Sequence, residues 1–157
     1  MAIGAPISES VLSEQANGHA LMVFDGLCGL CNRAVQWVVR RDHADRFRFV
    51  PQQSALAAAI LSRHGIDREA MIKSNSVYLV LDFGSDQERL LARSDVTVNL
   101  LLSLGGRFRV FGYVLRAVPA FLRNAAYGLF ARNRYWLTGR YKVCPLPTDA
   151  ERRKFIG

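Results

Sequence analysis

A chain of 157 residues that is 50% hydrophobic and 22% charged has the size and make-up of one globular domain with a packed core, which excludes a disordered chain. Its three cysteines are too few, and odd in number, for the disulfide framework of a small secreted domain, so a redox or metal role is the better reading. The formal net charge of +8 belongs to the C-terminal third, because residues 107–157 hold 11 Lys/Arg against 2 Asp/Glu while residues 1–106 are close to neutral.

Residues 1–18 are small and polar and lack the basic run and apolar core of a secretory signal. They are expected to be a flexible leader, and the chain is expected to be cytoplasmic. Residues 19–147 are read as one domain and 148–157 as a C-terminal tail. Arg107, Arg109, Arg116 and Arg123 interrupt the most apolar region, so no segment reaches the roughly 20 uncharged apolar residues that span a bilayer.

The run Ala20 to Phe24 is continuously apolar and stops at Asp25-Gly26, as a strand buried on both faces does. Cys31, Ala34, Val35 and Val38 then recur at helical spacing. Arg46 to Val50 alternates charged and apolar residues and is closed by Pro51. Ser54 to His64 is Ala-rich and stops at Gly65, which predicts a helix. Ser76 to Phe83 and Glu88 to Arg93, joined through Gly84, Ser85 and Asp86, predict an antiparallel hairpin. Ser94 or Asp95 is expected to cap a helix through Leu104, ended by Gly105-Gly106. The order β-α-β-α-β-β-α is that of an α/β, thioredoxin-like core. Two additional C-terminal helices are expected on either side of Pro119, followed by an aromatic, basic tail from Asn133 to Pro147.

The chemistry is expected at Cys28 and Cys31, a C-x-x-C pair between a buried strand and a helix. The first turn of a helix brings both sulfurs within disulfide reach, and its unpaired N–H groups and dipole favour an anion there. Cys28, taken as the more exposed of the two, is assigned as thiolate nucleophile and Cys31 as resolving thiol. Asp25 has two readings: a proton carrier for Cys31, or a cap that accepts loop N–H groups. The competing use of C-x-x-C is half a zinc site, with Cys144 and one of His19, His43 or His64 as further ligands. No second closely spaced Cys/His pair supports it, and no cofactor beyond the redox-active pair is expected.

The segment VFDGLCGLCN, with Asp25, Cys28 and Cys31, resembles the DCC family of predicted thiol-disulfide oxidoreductases. So do Arg93-Ser94-Asp95 ahead of a Leu-rich helix, Tyr127 followed by Ala131 to Tyr135, and the late Cys144. The likeness covers roughly residues 20–145 and implies a thioredoxin-like fold and protein-disulfide reductase activity. Thioredoxins proper place a cis-proline just before the third strand, whereas Lys73-Ser74-Asn75-Ser76 contains none.

Arg134 and Tyr135 either reach back to the cysteine loop or anchor the tail. Cys144 is open to three roles: extra resolving thiol, redox sensor or buried core residue. The implied partners are a protein or small-molecule disulfide and an upstream thiol reductant. The basic, aromatic C-terminal third also suits an anionic membrane surface, and suits nucleic acid less well.

Overall fold

The computed structural model describes residues 14, 16–74, 76–142, 147–149 and 151–156. Among these, a four-stranded sheet is packed between helices. β1 (Ala20–Phe24) leads to α1 (Gly29–Val39), β2 (Phe47–Pro51), α2 (Ala55–Arg63), α3 (Arg68–Ser74), the hairpin β3 (Tyr78–Leu81) and β4 (Arg89–Ala92), then α4 (Ser94–Leu104), α5 (Gly106–Ala117) and α6 (Ala120–Thr138). The strand order is β2-β1-β3-β4, with β1 parallel to β2 and antiparallel to β3. This is the thioredoxin-like arrangement expected from the element order.

β1 lies inside the sheet, which is why its five residues are apolar without alternation. Leu21 and Val23 enter a core with Val50, Ile60, Leu61 and Val80, whereas Met22 and Phe24 enter another with Val35, Val38, Phe49, Leu79, Val96 and Leu100. The second core contains both cysteines. Successive residues of one strand thus bind the two helical layers to opposite faces.

Several boundaries differ from the sequence reading. α3 has no counterpart there: it is seven residues long and buries Met71 alone, so it leaves no apolar period to read. Ser54 caps α2 as expected, its Oγ accepting from the Ala57 N–H at 3.1 Å. Neither Ser94 nor Asp95 caps α4. Arg93 holds the cap position at φ 56° with no side-chain cap, and the Ser94 hydroxyl instead donates to Asn124 Oδ1 on α6 at 2.6 Å. Helix α6 runs on through Asn133 to Thr138, into the segment read as an aromatic, basic tail.

Some of the described residues near each end also pack on the body. Ala16, inside the expected leader, is buried in the first core. The segment around Arg152–Lys154, read as a tail, docks on β2, where the Ile156 N–H donates to Phe49 O at 2.9 Å. Lys154 Nζ pairs with buried Asp42 at 2.8 Å. Cys144 lies outside the described residues. No helix among those described is long and apolar enough to cross a membrane.

Candidate active site

β1 ends against the start of α1, so Asp25 and the cysteine loop sit where strand and helix meet. Cys28 is the N-cap residue of α1, in extended conformation, and its Sγ accepts from the Cys31 N–H at 3.2 Å. The Asn32 side chain closes the loop from the other side by donating to the Gly26 and Cys28 carbonyls at 2.7 and 2.9 Å. Both cysteines are free thiols.

Their titration is split by this geometry. The Cys28 thiol is lowered from 9.0 to about 6, chiefly because the Cys31 side chain donates to it. The Cys31 backbone N–H and the Arg134 guanidinium add to that effect, while burial and Asp25 oppose it. Cys31 is pushed the other way, first by holding its proton on Cys28 and then by burial. One sulfur is thus prepared as a thiolate and the other as its proton donor.

Exposure corrects the sequence reading. Cys28 is 0% exposed and Cys31 9%, so Cys28 is not the more accessible member. The cause is a strap formed by the residues that follow α6. The Tyr141 N–H donates to Leu27 O at 2.7 Å and the Gly29 N–H to Gly139 O at 3.4 Å, and Cys28 faces Arg140 in an antiparallel bridge. Gly29 permits this approach, since a Cβ there would stand 2.8 Å from the Thr138 carbonyl oxygen.

Arg134 and Tyr135 do reach the site, and α6 is what brings them there. Arg134 Nη2 lies 3.0 Å from Asp25 Oδ2 and its Nη1 3.7 Å from Cys31 Sγ. The Tyr135 hydroxyl donates to the same Asp25 oxygen. Burial, followed by that hydrogen bond, raises the Tyr135 pKa. The other Asp25 oxygen accepts from the Leu27 N–H at 3.0 Å and from Gln53 Nε2 at 2.9 Å. Asp25 therefore has the loop-capping bond of one reading and is linked to Cys31 through Arg134.

One helper, Gln53, escaped the sequence reading, and another, Tyr127, entered it only through the family resemblance, without a role. Gln53 also accepts from the Gly26 N–H at 3.1 Å, and it stands beside the loop because Phe24 and Pro51 are register partners in the parallel pair. A polar residue just past β2 was the available signal. Tyr127 accepts from the Val77 N–H at 3.0 Å and so ties α6 to the sheet. Ser94 does not meet the cysteines, but its bond to Asn124 and the Arg123–Asp95 ion pair at 3.1 Å fasten α6 to α4.

A cavity of about 270 Å³ opens against Cys31, between α1, α4 and α6. Its walls include Phe24, Leu30, Trp37, Leu100 and Phe130, with Tyr127, Arg93 and Arg134 as polar members. Cys28 does not line it. Among the described residues no three His, Cys, Asp or Glu side chains gather as metal ligands, so His19, His43 and His64 do not assemble around the pair.

The chain is similar to known proteins over most of its length. Residues 22–140 match the model of the DCC1-like thiol-disulfide oxidoreductase family. The uncharacterized protein YuxK of Bacillus subtilis is 30% identical over 149 residues, which is 92% of this chain and 98% of that protein. The DCC family protein At1g52590, chloroplastic, of Arabidopsis thaliana is 31% identical over 126 residues, 80% of this chain and 69% of that protein. No solved structure matches. With the family's matched span running from β1 to the strap and enclosing Asp25, both cysteines and Arg134, the chain belongs to the DCC1-like thiol-disulfide oxidoreductase family.

Proposed function

We propose that this protein reduces disulfides through Cys28 and Cys31. The observation that carries the reading is the N-cap position of Cys28, whose sulfur takes a backbone N–H at 3.2 Å and the Cys31 proton, and so ionises near pH 6. The Cys28 thiolate attacks one sulfur of a substrate disulfide. That bond breaks, a mixed disulfide forms on Cys28, and the first substrate thiolate leaves and takes a proton. Cys31 then gives up its proton and attacks Cys28 Sγ, which releases the second substrate thiolate and leaves the pair oxidised. Two electrons pass from the pair to the substrate, and an external thiol restores them.

In this reading Arg134 compensates the charge that develops on Cys31, and Asp25 and Tyr135 position Arg134. The strap lifts to admit the substrate to Cys28. The test is disulfide reduction by two variants: Cys28→Ser abolishes turnover, while Cys31→Ser accumulates a mixed disulfide at Cys28. Equal residual activity in the two would refute the assigned roles.

A second reading, contact with an anionic bilayer, has its own observation. No Asp or Glu occurs from Gly106 to Lys142, where eight Lys/Arg do. On α5 and α6, Phe111, Val114, Phe121, Leu129 and Trp136 are exposed, Trp136 by 86%. Apolar and aromatic side chains among cations are what an interfacial helix offers. Co-sedimentation with phosphatidylcholine vesicles containing phosphatidylglycerol, weakened by salt, is the expected result. Absence of binding to those vesicles refutes it.

A further inference from the structure

We propose that the cavity against Cys31 docks the thiol that re-reduces the oxidised pair, and that this thiol is a small amphiphile with an apolar chain and an anionic group. The proposal rests on the disulfide-reductase reading and names the co-reactant of that site.

Which sulfur is reached decides the direction of attack. Cys31 belongs to the cavity wall, whereas Cys28 is not among the described lining residues and is 0% exposed. A thiol entering the cavity therefore attacks Cys31, and Cys28 is the leaving group. Geometry favours that polarity, because the departing Cys28 thiolate stays at the N-terminus of α1 and keeps the Cys31 backbone N–H at 3.2 Å. The incoming thiolate forms a mixed disulfide with Cys31 as the Cys28–Cys31 bond breaks and Cys28 leaves as thiolate. A second thiolate attacks the reductant's own sulfur in that mixed disulfide. Cys31 is released and takes a proton, the two reductant molecules end joined by a disulfide, and their two electrons stay on the pair.

The lining selects the rest of the molecule. Phe24, Trp37, Leu100 and Phe130 make the wall apolar, and among the described residues no Asp or Glu lines the cavity. Its charged members are cations. Arg134 is buried with Asp25, but Arg93 is exposed and its guanidinium has no hydrogen bond or ion pair among the described residues. Arg93 also holds φ 56°, ψ −129° at the start of α4, a backbone conformation suited to glycine. A strained backbone thus sets a cation without a partner among the described residues at the apolar cavity that Cys31 lines. An anionic group on the ligand supplies that partner.

The experiment uses the full chain, oxidised, and compares rates of reduction at equal thiolate concentration by mercaptooctanoate, uncharged mercaptooctanol and short mercaptopropionate. Each buried methylene is worth at most about fourfold, so mercaptooctanoate is expected to exceed mercaptopropionate by at least about tenfold. It is expected to exceed mercaptooctanol by about two- to fivefold through Arg93. Arg93→Gly, which adopts the same backbone without strain, abolishes the charge preference and keeps the chain-length preference. Thr97→Trp, at a cavity-lining residue that is itself exposed, abolishes the chain-length preference. Equal rates for long and short thiols, or a charge preference that survives Arg93→Gly, overturn the proposal. Failure of dithiothreitol to reduce the wild-type pair, by contrast, would overturn the exchange function itself.

Discussion

Because Cys28 ionises more readily in the folded chain than in the unfolded one, the stability of the reduced protein depends on pH in a fixed direction. A thiol held at about 6 against an ordinary value of 9.0 corresponds to about 4 kcal/mol of differential stabilisation. Between those two pH values the unfolded chain keeps a proton that the folded chain has released, so stability rises with pH across that window. The gain is fully present once the unfolded thiol has also ionised, and it is lost as pH falls through 6. Cys31 has the opposite sign. It stays protonated in the fold where the unfolded chain ionises, so stability falls again above pH 9. Urea unfolding of the reduced and the oxidised protein at a series of pH values isolates both effects, since every other titrating group is common to the two forms. The reduced-minus-oxidised difference should climb by up to about 4 kcal/mol from pH 6 to 9 and then decline. Cys31→Ala removes the largest cause of the lowered value, leaving the residue-31 backbone N–H, so the climb should shrink and begin at higher pH. A difference curve that is flat between pH 6 and 9 would refute the reasoning.

Gly139 holds φ 76° in the strap, so Gly139→Ala costs the closed strap about 1 kcal/mol. Timed alkylation followed by mass spectrometry should show Cys28 reacting about fivefold faster with its thiolate titration unmoved; an unchanged rate would refute the strap as the barrier. Asp25→Asn breaks a pair whose side chains are 6% and 4% exposed and should destabilise the chain by about 3 kcal/mol in urea. The same change removes an anion that raises the Cys28 pKa, so the titration should move further down. Lys154→Met leaves the buried Asp42 carboxylate with only its Arg46 and Phe47 N–H partners, and a loss of about 3 kcal/mol is expected from thermal or urea unfolding.

What could be read in the sequence was what neighbouring residues decide. Ala20 to Phe24 announced an interior strand because both of its faces are covered, and Ser54 announced a helix start because its own hydroxyl caps it. The C-x-x-C pair was legible for the same reason, since one helical turn sets its geometry. Cys28's burial was not legible. Its cover comes from residues beyond position 137, and nothing near Cys28 encodes that return except Gly29, whose missing Cβ makes room for Thr138. Arg134 shows the same limit. Its sequence neighbourhood favoured an anchor for the tail, and only the fastening of α6 by Ser94, Asn124 and Tyr127 carries it to Asp25.

The two sulfurs consequently face different surroundings, and this gives a physical reason for the asymmetric pair. Cys28 carries the low pKa but lies under a strap held by few backbone bonds, so its reactivity is set by how often the strap opens and not by thiolate content alone. Cys31 keeps its proton but borders an open cavity, with Arg134 near its sulfur to receive negative charge. The proton that Cys31 directs at Cys28 makes Cys28 a good attacking group and keeps Cys31 unreactive while the pair is reduced. Under the proposed function, separate routes would let a substrate disulfide and a reducing thiol reach the pair without competing for one opening. That arrangement requires the strap and the cavity to be independent: Gly139→Ala should accelerate alkylation of Cys28 in the reduced protein and leave the chain-length preference for reducing thiols in the oxidised protein unchanged. A variant that altered both together would show that substrate and reductant share a single path.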